Sequence, residues 1–286
     1  MNTARLAICL LFSPFAMNTN ANAAQGSEIV LAIPVTGDGQ LPTRICRPAD
    51  AAPARLVIIN HGSPASAKDR PRMTPGRCDQ EAAQWFLSRG FVVAFPLRRG
   101  YGASGGRWAE DYGPCNQADY FHAGLETARD IDAAVESLTR LPFIRPDGVV
   151  VVGQSAGGWG AIAYDSVAHP KVDAFIVMAG GRGGHMHEMP SRNCHTDRLA
   201  EAAGRFGKTA TTPMLWVYAA NDTYFGPHVA QALYAAFTVN GGRAELKQPD
   251  AFGADGHTLF YARRGSAIWG PLAESYLSRQ LASGAR

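Results

Sequence analysis

Residues Gly148 to Tyr164 read GVVVVGQSAGGWGAIAY. Four consecutive valines, Val149 to Val152, are β-branched and apolar, the composition of a strand buried on both faces. Gly153-Gln154-Ser155-Ala156-Gly157 follows without a spacer, and Gly158 to Ala168 reads as a small-residue helix. A G-x-S-x-G pentapeptide wedged between strand and helix is a nucleophile elbow. Such a turn strains the serine backbone, and side chains at its two flanking glycines would strike the strand and the helix. The pattern therefore predicts Ser155 Oγ at the tip of a sheet, against a helix N-terminus.

The same alternation extends to either side of this unit. Upstream, a hairpin is expected from Glu28 to Val35 and Leu41 to Arg47, around Thr36-Gly37-Asp38-Gly39. Arg55 to Asn60 is a buried strand, Asp79 to Arg89 an amphipathic helix closed by Gly90, Phe91 to Leu97 a strand and Asp119 to Leu141 a helix. Downstream, Val172 to Ala179 is a strand that opens into a long loop reaching about residue 198. Met214 to Ala220, Pro227 to Val239 and Arg243 to Lys247 then read as strand, helix and short strand, and a last helix spans Ser266 to Leu281. Strands alternating with helices imply a mostly parallel sheet covered on both faces. With no internal repeat and no dividing linker, residues 25–286 form one α/β domain.

The chain of 286 residues has a formal charge of only +3, and no segment concentrates its lysines and arginines. A nucleic-acid or membrane-surface partner is therefore not indicated. Residues 1–24 read as a secretory signal peptide: Arg5, an apolar run from Leu6 to Ala16, and the small-residue site Ala21-Asn22-Ala23. No later apolar run reaches the roughly 20 residues of a membrane span. Export to the periplasm or beyond fits the cysteines. Cys9 leaves with the signal, and Cys46, Cys78, Cys115 and Cys194 remain, enough for two disulfides in any of three pairings. No C-x-x-C pair is present, so a zinc site is not expected.

A serine becomes a nucleophile only with a general base, and that base needs an orienting carboxylate. Behind an elbow serine the partners follow in the order acid, then histidine. After residue 200 the histidines are His228, inside a helix, and His257, in the glycine-rich Phe252-Gly253-Ala254-Asp255-Gly256-His257. His257 is the expected base. Asp222 directly follows the strand that runs through Leu215 to Ala220, and it is preferred as the acid over Asp250 and Asp255 on the histidine's own loop. Oxyanion donors are expected from the Ala156 N–H and, after the strand ending at Asn60, from the Ser63 N–H.

At these residues the chain resembles the α/β-hydrolases, in particular their dienelactone-hydrolase-like and prolyl-oligopeptidase-like branches. The resembling motifs are Asn60-His61-Gly62, Arg98-Arg99-Gly100-Tyr101-Gly102, Gly153-Gln154-Ser155-Ala156-Gly157-Gly158, Asn221-Asp222 and Asp255-Gly256-His257. The resemblance implies an eight-stranded sheet with the second strand antiparallel, and hydrolysis through an acyl-enzyme without metal or organic cofactor. Dienelactone hydrolases proper carry a cysteine nucleophile where this chain has Ser155, so lactone specificity does not carry over.

Gly100-Tyr101-Gly102-Ala103-Ser104-Gly105 fits a dinucleotide fingerprint, yet a loop rather than a helix follows it. His185, His187, Glu188 and His195 could hold a metal in principle, but pocket lining or plain surface is the expected role. Arg98 and Arg99 could meet a substrate carboxylate, although ion pairs within the fold are favoured. The loop from Gly180 to Asp197 leaves a strand at the sheet edge where such folds bind ligands. With Tyr101, Trp108, His185 and Tyr224 it is expected to shape a fairly open substrate pocket without a large lid. The sequence thus predicts a secreted serine hydrolase acting on carboxylic esters. A prolyl-oligopeptidase-like peptidase and a non-enzymatic binding protein on the same fold are the alternatives.

Overall fold

The valine run is the centre of the sheet. In the computed structural model, which describes residues 27–37, 39–49 and 52–283, Val149–Gln154 forms strand β5 with every residue buried. The expected signal segment, with Cys9, lies outside the described residues. The other strands are β1 (Glu28–Pro34), β2 (Gln40–Cys46), β3 (Leu56–Asn60), β4 (Val92–Pro96), β6 (Val172–Met178), β7 (Met214–Val217) and β8 (Ala244–Lys247). They lie in the order β1-β2-β4-β3-β5-β6-β7-β8, one sheet of eight strands. β2 runs antiparallel to both β1 and β4, and all the remaining pairings are parallel.

Alternate side chains of a strand face opposite ways, so a doubly covered sheet needs two cores. Val149 and Val151 enter one of them, Val150 and Val152 the other. On the first face lie α2 (Tyr120–Leu138), α3 (Ala156–Asp165), α4 (Thr196–Gly207) and α5 (Pro227–Val239), through residues such as Ile131, Trp159, Phe206 and Leu233. On the second lie α1 (Glu81–Leu87) and α6 (Ser266–Ser283), through Phe86, Trp269 and Tyr276. Each fully buried valine contributes about 1.5–3 kcal/mol by leaving water, which is why this run dictates the sheet's position.

The hairpin, the alternation and the antiparallel second strand are as expected, with element ends shifted by one to three residues. Helix α4 is the exception, since the sequence pattern left residues 199–213 unassigned. Its apolar face is narrow and built from Leu199, Ala202, Ala203 and Phe206, with Gly204 and Gly207 weakening the helical signal. His195 at its N-cap supplies no side-chain hydrogen bond, so the usual start mark is missing as well.

Polar groups pin the helices at chosen points. Glu81 accepts hydrogen bonds from the Arg264 and Ser266 N–H groups (2.7 and 2.9 Å) and from Ser266 Oγ (2.6 Å), placing a carboxylate at the start of α6. The Ser266 hydroxyl first, then these amides, hold Glu81 below the usual carboxylate range. Disulfides join Cys46 to Cys78 and Cys115 to Cys194, one of the three pairings left open. The first ties β2 to the segment before α1. The second ties the loop before α2 to the loop before α4.

Candidate active site

Ser155 sits between β5 and α3 with φ 54° and ψ −119°, a region that L-residues occupy only under constraint. The packing that imposes it is visible at Gly157, where a Cβ would collide with the backbone carbonyls of Asn60 and His61. Gly62 packs on the elbow in the same way, since a Cβ there would overlap the Gln154 amide. The loop after β3 therefore lies directly against the nucleophile turn.

His61 fixes that loop. Its Nε2 accepts the Arg98 N–H (3.2 Å), which leaves Nδ1–H to donate to the Gly62 carbonyl (2.8 Å), the tautomer of a neutral ring. Burial and the neighbouring Arg98 charge push its pKa well below 6.5. A histidine depressed in the folded state stabilises fully above its unfolded pKa, and the benefit is lost as the pH falls below it. Urea midpoints measured from pH 7.5 to 4.5 should therefore decline below about pH 6.5, at up to about 1.4 kcal/mol per unit for one proton. His61→Gln should flatten that limb. An unchanged limb in the variant would exclude His61 as its source.

Asp222 and His257 come together. His257 Nδ1 lies 3.1 Å from each carboxylate oxygen of Asp222. Asp222 Oδ1 also accepts the Tyr224 and Phe225 N–H groups, both at 2.8 Å, so the acid is held by its own turn and enclosed within it. Asp255, the competitor, does a different job. It accepts the His257 N–H (2.9 Å), the Thr223 N–H (3.0 Å) and the Thr223 hydroxyl (2.7 Å), binding the histidine loop to the acid loop. Burial works against its charge, but these bonds keep Asp255 below the usual carboxylate range. The Gln154 side-chain amide donates to the His257 carbonyl (3.2 Å), tying the same loop to the elbow. No hydrogen bond joins Ser155 Oγ to His257 among the described residues.

The imidazole of His257 stacks on Tyr224 at 4.1 Å, and His185 stacks on Tyr224 at 3.4 Å. His185 Nε2 meets Thr223 Oγ1 at 2.9 Å, while His195 faces Asp197 and His228 is exposed on α5. Among the described residues no three His, Cys, Asp or Glu side chains are grouped to hold a metal ion. A cavity of about 250 Å³ opens over Ser155 and Ala156. Ser63, Trp108, His185 and Tyr224 are among the residues that line it. The amides of Ser63 and Ala156 have no acceptor among the described residues.

Tyr101 departs from the expectation of a pocket-wall residue. It is fully buried behind the cavity, where its hydroxyl meets Ser63 Oγ (2.5 Å) and accepts from Trp108 Nε1 (3.1 Å). Two arginines take the place foreseen for it. Arg70, from a stretch read as featureless loop, and Arg182, two residues past the Gly180 that opens the long loop, both line the cavity. The arginine beside glycines just after a strand was the available signal for Arg182. Arg98 and Arg99 are ion-paired within the fold, to Glu110 (3.0 Å) and to Asp130 and Glu126 respectively.

Comparison with known proteins follows the same lines. The model of the prolyl oligopeptidase family matches residues 78–181, which run from the start of the α1 region through the elbow. No curated protein matches the chain. Among solved structures, a putative dienelactone hydrolase from Klebsiella pneumoniae aligns with TM-score 0.61 at 15% identity, over 88% of this chain and 98% of its own. An esterase from Pyrococcus furiosus aligns with TM-score 0.64 at 17% identity, over 90% of this chain and 94% of its own. The acylaminoacyl peptidase of Pyrococcus horikoshii gives TM-score 0.65 at 15% identity, over 90% of this chain but only 42% of its own, so this chain spans about two-fifths of that enzyme. In fold the chain is an α/β-hydrolase, and from residue 78 to 181 it is similar to the prolyl oligopeptidase family.

Proposed function

We propose that this chain is an exported serine hydrolase that cleaves carboxylic esters through an acyl-enzyme on Ser155. The observation that carries the reading is the pairing of His257 Nδ1 with a buried, doubly amide-bound Asp222, on a loop tethered to the elbow of a strained serine. Asp222 accepts from Nδ1–H, so the Nε2 lone pair is free to take a proton. Triads without substrate are often loose and tighten as the complex forms.

Ser155 Oγ attacks the ester carbonyl as its proton passes to His257 Nε2, giving a tetrahedral oxyanion and an imidazolium. The Ala156 N–H, at the first turn of α3, and the Ser63 N–H hold the oxyanion; among the described residues neither is committed elsewhere. Asp222 stabilises the imidazolium, and the Tyr224 face adds a cation–π contribution at 4.1 Å. Collapse expels the alcohol, protonated by His257, and leaves the acyl group on Ser155. Water then repeats the cycle, losing its proton to His257, and releases the acid. The cavity lining includes two arginines and, among the described residues, no carboxylate, so it offers no anionic partner to the amino terminus of a free peptide. An N-blocked peptide amide remains compatible, and the partial match to the prolyl oligopeptidase family favours it as the second reading.

Fluorophosphonate labelling of the mature protein, with intact mass and peptide mapping, tests the proposal. One adduct on Ser155 that fades in His257→Ala is the expected result. A panel of esters and N-acylaminoacyl amides should then show turnover of esters ahead of amides. Well-folded protein that takes no label would sink the hydrolase reading and bring forward the binding protein.

A further inference from the structure

The cavity lining carries two arginines, Arg70 and Arg182, and no Asp or Glu among the described residues. Glu110, itself buried, is shared by two guanidiniums: Arg98 donates to Oε1 from Nε (3.3 Å) and Nη2 (3.0 Å), and Arg182 donates to Oε2 from Nη2. Thr127 Oγ1 donates to the same oxygen at 2.7 Å, which adds no negative charge. Arg182 is buried; among the described residues its Nε has no acceptor, and its other partners besides Glu110 are neutral hydroxyls, Ser63 Oγ (3.4 Å from Nη1), Thr127 Oγ1 (3.2 Å from Nη2) and that of Tyr101. Arg70 adds a third cation. Its guanidinium lies 3.8 Å from the centre of the Trp108 ring, and among the described residues no carboxylate pairs with it. Its neighbour Arg72 takes Asp69 instead. Trp108 also has Arg182 within 5.9 Å, so one indole borders both guanidiniums at the cavity.

A buried guanidinium left short of acceptors is costly, and such sites are completed by an anion. Tyr101 registers the two buried guanidiniums beside it. Burial favours its neutral form, yet Arg182 and Arg98 hold the hydroxyl below the usual phenol range. We propose, resting on the esterase reading above, that the substrate is an ester bearing a carboxylate, and that Arg70 and Arg182 bind that carboxylate. Ser63 sets the spacing. Its hydroxyl touches Arg182 while its amide is a candidate oxyanion donor, so the carboxylate and the scissile carbonyl are separated by a short spacer. A cavity of about 250 Å³ suits a short diacid or hydroxy-acid ester better than a long acyl chain. Trp108 covers the hydrocarbon between the two polar ends.

The test uses pairs matched in chain length, a carboxylate against a methyl, followed by proton release. Monoethyl glutarate against ethyl pentanoate places the carboxylate on the acyl side. The second pair, 4-acetoxybutanoate against butyl acetate, places it on the alcohol side. In at least one pair the carboxylated ester is expected to exceed its neutral partner at least tenfold in kcat/KM. Arg70→Gln should bring that ratio close to one, chiefly through a higher KM for the anion, and Arg70→Lys should keep part of the preference. Arg70 is half-exposed on a short turn, so these variants should fold. If fluorophosphonate-reactive enzyme turns over the neutral ester equally well in both pairs, or if Arg70→Gln leaves the ratio untouched, the carboxylate proposal is overturned while the esterase reading stands. If no ester is turned over and Ser155 takes no label, both fall together.

Discussion

Ser155→Ala is expected to lower kcat for a good ester by about 10⁶, and adding His257→Ala should cost little more, because a nucleophile and its base act as one unit. Independent contributions would multiply instead, and the double variant would fall below detection. The residual rate of the single variant should remain above the uncatalysed reaction by about 10³, since the Ala156 and Ser63 amides would still face the oxyanion. Single-turnover and steady-state measurements on the three variants decide the matter. A Ser155→Ala enzyme within tenfold of the parent would remove the elbow serine from the chemistry. A double variant much weaker than either single one would mean that His257 serves some step other than activation of Ser155.

The second large effect concerns stability. Glu110 is the one carboxylate that Arg98 and Arg182 share, and all three side chains are almost wholly buried. Taking away one member of such a group strands the others, at a typical cost of about 3–5 kcal/mol. Glu110→Ala should therefore shift the urea midpoint strongly downward at an unchanged denaturant slope. Glu110→Gln keeps the shape and one acceptor but not the charge, and should recover only part of the loss. Combining Glu110→Gln with Arg182→Met removes a stranded cation and should recover more. A Glu110→Ala midpoint close to that of the parent would show that water reaches these guanidiniums freely.

Local composition made the central strand, the elbow and the alternation of strands with helices readable. A run of β-branched residues has few alternatives, and G-x-S-x-G directly after it has fewer. The nomination of Asp222 over Asp255 rested on its place directly after a strand, and the structure shows how their surroundings differ. Asp222 turns inward under two amides, whereas Asp255 is spent joining Thr223 to His257. Other features were beyond reach of local pattern. The pairing of Cys46 with Cys78 and of Cys115 with Cys194 depends on which loops meet across the sheet edge. Tyr101 looked like a pocket residue because it follows a strand end, but the turn through Gly102 sends its ring behind Ser63. Arg70 lies in a stretch without periodicity, and only the fold brings it onto Trp108.

The cavity's parts come from distant stretches of chain with different attachments. Ser155 stands at the end of β5 in a strained turn, while Asp222 and His257 sit on the loops after β7 and β8, held by backbone amides and by each other. Arg70, Trp108 and His185 ride on excursions between those strands, two of which are stapled together by Cys115 and Cys194. The proposed machinery and selector are thus carried on different segments. The two sets meet where His185 stacks on Tyr224 and bonds Thr223, and where Trp108 reaches Ser63 through Tyr101, so a rewritten excursion has to keep those contacts. A scaffold divided in this way can keep one reaction while changing its customers.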